Sequence, residues 1–166
     1  MPKTKKLAFM ALLTAMALTI FVLEAQIPAP VPIPGVKLGL ANIITLTAMV
    51  LMGRKEAGIV LAMRILMGAM FAGSPASLLY SAAGGILAYI AMCLLVGVIS
   101  QERLWLTSAI SAVCHNAGQL LACVLIVKTP GVLVYAPALM ASGIITGLFT
   151  GFAAMYLIKA LRKMRN

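Results

Sequence analysis

Apolar residues run along this chain in six blocks, separated by prolines, glycines and basic residues. The blocks cover roughly residues 7–26, 37–52, 56–72, 76–99, 104–127 and 137–160. Most approach the ~20 residues that a helix needs to cross the hydrocarbon core of a bilayer. The pattern predicts an all-α polytopic membrane protein: a single domain over residues 1–166, built as a bundle of six transmembrane helices. The second and third blocks are short and are compatible with a re-entrant hairpin. Six spans account better for the positions of the charges.

The first block follows Lys3, Lys5 and Lys6, as a secretory signal would. Its apolar stretch exceeds the usual 7–15 residues of such a signal, so it is expected to be the first span. Beyond it come Pro28, Pro30, Pro32 and Pro34, ending at Gly35. Alternating prolines donate no backbone hydrogen bond and favour extended chain. A semi-rigid external loop over Pro28–Gly35 is expected, in the position of a lid. The remaining connections lie at Gly53–Glu56, Gly73–Pro75, Ser100–Arg103 and Lys128–Gly131.

Composition agrees with the pattern. Hydrophobic residues make up 63% and charged residues 10%, against about a quarter charged in soluble domains. A net charge of +10 would suit nucleic acid, but its placement argues for a bilayer and against nucleic acid. Ten of the 13 basic residues sit at Lys3, Lys5, Lys6, Arg54, Lys55, Arg103, Lys159, Arg162, Lys163 and Arg165, flanking apolar blocks. Six spans gather all ten on one side, with both termini there. The positive-inside rule makes that side cytoplasmic. Cys93, Cys114 and Cys123 lie within apolar blocks, with spacing that fits neither a zinc site nor a disulfide framework. Neither a metal nor another cofactor is expected.

Polar residues at membrane depth are costly, and each is a functional candidate. At 1.5 Å per residue, Arg64 lies ~15 Å from Arg54, and His115 ~17 Å from Leu104, with Gln119 ~6 Å beyond. Glu24 and Lys37 fall near the outer boundary, and Asn42 just below it. Glu24, Lys37, Asn42, Arg64, His115 and Gln119 therefore all belong to the external half. Ser108, Ser111, His115 and Gln119 recur at helical spacing on one face. Asn116 lies about 100° round, open either to a neighbouring helix or to the same pocket. The pattern suggests an outward polar pocket with these residues as its lining. Interhelical hydrogen bonding and an Arg64–Glu24 ion pair are the structural alternatives. Lys37 and Arg64 favour an anionic group on a ligand. Ala11 and Ala15 on the first block, and Gly143, Gly147 and Gly151 on the last, permit close helix approach.

Several chemistries are excluded. The three acidic residues are Glu24, Glu56 and Glu102, so no aspartate-rich magnesium site can form. There is no phosphate-binding loop for ATP, and a single histidine rules out a paired-histidine zinc protease. A serine nucleophile using His115 lacks an acidic orienter. The chain is not expected to be an enzyme.

Residues Pro34–Asn42 (Pro-Gly-Val-Lys-Leu-Gly-Leu-Ala-Asn), Arg64, Gly84-Gly85 and His115–Gln119 (His-Asn-Ala-Gly-Gln) together resemble the Gx transporter family over nearly the whole chain. That family is often labelled heptaprenyl diphosphate synthase component I, a label we attribute to gene neighbourhood, since the chain lacks a synthase's chemistry. The family is similar to the substrate-binding S components of energy-coupling factor (ECF) transporters. The resemblance implies a multi-pass subunit of the bacterial cytoplasmic (inner) membrane that binds a vitamin or related small molecule near the external face. It implies docking on a transmembrane coupling protein driven by two cytoplasmic ATPases, with Ala11 and Ala15 matching the coupling motif. Two other readings stay open: a membrane accessory subunit of isoprenoid or quinone metabolism, and a proton-coupled carrier using Glu24 or His115.

Overall fold

The structure is a computed structural model that describes residues 2–27, 37–73 and 75–165; the expected lid over Pro28–Gly35 lies outside the described residues. The described chain is all-helical. Its helices are α1 (Lys3–Glu24), α2 (Asn42–Met52), α3 (Arg54–Ala72), α4 (Pro75–Leu95), α5 (Leu104–Val127) and α6 (Ala136–Arg165), with 3₁₀ turns at Gln101–Arg103 and Pro130–Tyr135.

Four of these helices, α1, α4, α5 and α6, are long and apolar enough to cross a membrane. Their outer faces are apolar too. Leu7, Ile86, Leu94, Leu125, Ile145 and Phe149 are all exposed, a surface that suits lipid and would drive aggregation in water. By contrast, α3 carries Arg54, Lys55, Glu56 and Arg64 among its 19 residues. The 11 residues of α2 extend only about 16 Å.

This short helix is the centre of the bundle. Seven of its residues, Asn42 and Ile44 through Met49, are buried, and it touches α1, α3 and α6 and, more lightly, α4 and α5. It begins at Asn42, five residues later than the apolar block suggests. The cause is Gly39, whose φ of +80° is a left-handed conformation that interrupts a helix and costs glycine little. The helix then starts through a tight turn in which the N–H groups of Asn42, Ile43 and Ile44 reach the carbonyls of Gly39, Leu40 and Ala41.

The basic residues gather at the opposite end. Lys6 at the start of α1 pairs with Glu56 at the start of α3. Arg162 near the end of α6 donates to Gln101 ahead of α5 at 2.9 Å. The Tyr89 hydroxyl of α4 donates to the Arg54 carbonyl at 2.8 Å. The larger apolar core, with Leu13, Leu46, Met49, Val60, Met92 and Leu104, fills this half. A smaller cluster of Tyr80, Leu120, Cys123 and Leu139 fills the other end. Along α4 the two clusters are separated by Gly84-Gly85, and along α5 by His115 and Gln119. The polar residues occupy the gap.

Helices surrounded by lipid gain nothing from apolar burial against each other, so close contact must supply the attraction. The α5–α6 and α4–α5 seams are the most extensive. At Gly147 of α6, an added Cβ would sit 2.5 Å from Ala109 Cα of α5, so the two backbones are in direct contact there. Gly147→Ala is expected to force the seam open and cost about 1–3 kcal/mol, as overpacking does. A lower thermal unfolding midpoint in detergent measures this. Gly131→Ala, at an exposed position whose nearest neighbour is Thr129 at 3.6 Å, should leave the midpoint unchanged.

Candidate ligand-binding site

The break before α2 frees backbone N–H groups inside the bundle, where lipid and apolar side chains offer no acceptor. Two side chains supply them. Glu24, the last residue of α1 and 3% exposed, accepts the Gly39 N–H through Oε1. Gln119 of α5 accepts the Lys37 N–H through its Oε1 at 3.2 Å. Irregular backbone at membrane depth is tolerated only where protein groups satisfy it in this way. Glu24 is thus committed to the α2 entry, where its carboxyl group lies at the positive end of the α2 dipole. The Arg64–Glu24 ion pair held open from the sequence is absent within 4.0 Å among the described residues.

The bond to Lys37 fixes the Gln119 amide, and with it the state of His115. With its oxygen taken by the Lys37 N–H, Gln119 presents Nε2 to His115 Nε2 at 3.0 Å. An amide nitrogen can only donate, so His115 Nε2 accepts, the ring is neutral, and its proton is on Nδ1. The imidazole is held between two glycines. An added Cβ on Gly39 would lie 2.8 Å from His115 Cδ2, and one on Gly84 would lie 2.8 Å from His115 Cε1. Only glycines leave room for the ring. Nδ1 lies beside the Gly84 backbone without a hydrogen bond of ordinary geometry.

Asn42 and Arg64 complete the cluster. Asn42 Nδ2 lies 3.1 Å from the same Cβ position on Gly39, as does His115 Nε2, so Asn42 and His115 are neighbours. Arg64 Nη2 approaches Gly85, next to Gly84, at 3.4 Å from its Cβ position. Arg64 and Asn42 are 3% and 5% exposed, yet Arg64 Nε and Nη2 and both polar atoms of the Asn42 amide have no protein partner. Buried polar groups are nearly always hydrogen-bonded, and leaving one unpaired costs about 1–3 kcal/mol. Four such atoms of Arg64 and Asn42, with His115 Nδ1, meet in this cluster.

The other candidates fall as follows. Lys37 is half-buried, with its ammonium 3.2 Å from the centre of the Phe21 ring, a cation–π contact at the rim of the cluster. Asn116 is turned away, donating to the Leu139 carbonyl of α6 at 2.6 Å; it ties α5 to α6 and is not part of the cluster. Ser108 is likewise spent on α6, with its hydroxyl 2.9 Å from that of Thr150. Thr107 and Ser111, both fully buried, continue the polar seam of α5 toward the basic end with unpaired hydroxyls. Ala11 and Ala15 lie on the exposed face of α1. Gly39 and Gly84, the walls of the His115 slot, were not read as site residues from the sequence. Their signal was a glycine at the same depth as the single histidine. Surface recesses elsewhere include an apolar groove of about 430 Å³ between α4 and α5, around Ala83 and Gly118, and one of about 620 Å³ at the basic end beside Arg162. Neither opens onto the cluster.

Fold and site together define a helical protein with lipid-suited outer faces and an enclosed polar cluster between two apolar ones. Comparison with protein families matches residues 13–157 to the family described as heptaprenyl diphosphate synthase component I, and the chain belongs to that family. Comparisons with curated proteins and with solved structures gave no match.

The Glu24 contact generates a test. Glu24→Ala leaves the Gly39 N–H unpaired and is expected to cost about 1–3 kcal/mol, read as a lower unfolding midpoint. Glu24→Gln keeps an acceptor oxygen in place and should recover most of that loss. Equal destabilisation by both variants would show that the charge, and not the hydrogen bond, matters.

Proposed function

We propose that this protein is the substrate-binding subunit of an ECF-type uptake transporter, without catalytic activity of its own. The observation that carries the reading is the enclosed cluster of Arg64, Asn42 and His115 with its unpaired polar atoms. A structural polar network would satisfy its own members; a binding site leaves that to the ligand. In this reading all six helices belong to the membrane domain, with α2 as a half-length central element. Ten basic residues at one end make that end, with both termini, cytoplasmic in a bacterial inner membrane. The cluster then lies toward the outside. The ligand is a small micronutrient or precursor in contact with Lys37, Asn42, Arg64, His115 and Gln119.

Support for coupling comes from α1. Ala11 and Ala15, one turn apart about the middle of α1, are exposed on its outer face, where small side chains let a partner helix approach closely. A transmembrane coupling protein with two cytoplasmic ATPases would supply the energy that the chain has no site to extract from ATP.

The family name favours a second reading, in which the chain is a membrane component that serves heptaprenyl diphosphate synthesis. One experiment separates the two. The full-length protein is purified from native membranes in mild detergent, and its partners are identified by mass spectrometry. The transport reading expects a membrane coupling protein and two ATPases, lost from an Ala11→Leu/Ala15→Leu variant that keeps its unfolding midpoint. Recovery of a soluble prenyl-transferring enzyme in their place would sink the transport reading and establish the second.

A further inference from the structure

The geometry points to a solute bearing a carboxylate with a hydrogen-bond donor beside it as the occupant of the Arg64–Asn42–His115 cluster. The inference rests on the cluster being a ligand site and is independent of the transport partners.

The carboxylate follows from Arg64. Its Nε and Nη2 lie on one edge of the guanidinium and point the same way. Both lack a partner in a residue that is 3% exposed. Two parallel N–H groups on a planar fork match two oxygens of one oxyanion, either carboxylate or phosphate. No acidic side chain of the described residues lies within 4.0 Å to occupy the fork, since Glu24 is turned to Gly39. Asn42 stands at the start of α2, so the positive end of that helix adds to the preference for an anion.

Charge balance separates the two oxyanions. Arg64 is the one guanidinium of the cluster, Lys37 lies at its rim over the Phe21 ring, and His115 is neutral by its bond to Gln119. A carboxylate brings two oxygens and one charge to a single fork. A phosphate dianion brings a third oxygen and a second charge for which the cluster holds no further buried cation, and an uncompensated buried charge is expensive.

The adjacent donor follows from Asn42. Both its amide oxygen and its amide nitrogen are unpaired, so whichever way the amide is turned the site presents one donor and one acceptor. The donor joins Arg64 in facing the oxyanion. The acceptor requires an O–H or N–H on the ligand, close to the carboxylate. A plain alkanoate cannot provide it; a hydroxy acid can.

The test uses the purified protein in nanodiscs, with thermal unfolding followed through Trp105 fluorescence. Sodium lactate, sodium propionate, sodium phosphate and sodium chloride are titrated at matched ionic strength. A bound ligand raises the midpoint with saturation. The expected order is lactate above propionate, with phosphate no different from chloride. Arg64→Lys replaces the fork by a point charge and should weaken lactate at least about tenfold. Asn42→Leu removes two unpaired buried atoms, so it should raise the midpoint in chloride while abolishing the preference for lactate over propionate. That variant keeps the test decisive if Arg64→Lys does not fold. Absence of a saturable response to either carboxylate, a larger response to phosphate, or an unchanged lactate preference in Asn42→Leu would each overturn the inference. Loss of the lactate response in protein that still copurifies with ATPases removes the ligand class alone. A lactate response in protein that recovers no such module removes the transport reading alone.

Discussion

Hydrocarbon offers no partner to a free backbone N–H, and the architecture of this protein turns on the one place where the described chain leaves helical geometry deep in the bundle. Residues 37–41 pass among the helices as irregular chain, and their amide groups reach Glu24 and Gln119. Without those two acceptors the segment would have to be helical or lie at the surface. With them, α2 can start late, stay short and sit at the centre of the bundle.

That arrangement also creates the site. A full-length second helix would fill the space near Arg64 and His115 with its own side chains. Because α2 begins only at Asn42, the polar side chains of Asn42, Arg64 and His115 occupy the level between the two apolar clusters, beside Gly39 and Gly84-Gly85. Gln119 links structure to site: its oxygen secures the chain at Lys37, and its nitrogen sets the tautomer of His115. Support for the backbone and the arrangement of the polar cluster therefore share the same contacts. The unpaired atoms of Arg64 and Asn42 are a cost to stability, offset by the packing of the α4–α5 and α5–α6 seams.

Much of this was legible in the sequence. Six apolar blocks gave the helices, and the depths of Arg64, His115, Gln119 and Asn42 gave their convergence, because helical rise converts residue number into height. Three features were hidden. The late start of α2 depends on one left-handed glycine within an apolar stretch, which hydropathy cannot register. The partner of Glu24 is a backbone amide brought in from residue 39, where charge alone suggested Arg64. Asn116 and Ser108 are polar residues beside the site that turn to α6, and a difference of about 100° in helical position decides between pocket and seam only once the neighbours are known.

The two-sided confinement of His115 bears on time as well as on affinity. Its ring touches the chain before α2 on one side and α4 on the other, so neither can move inward. In the ligand-binding reading proposed above, a ligand beside the ring leaves only when those elements part, and its lifetime is set by the frequency with which the bundle opens. Changes at the glycine walls can alter the residence time of a ligand without altering a single contact that the ligand makes.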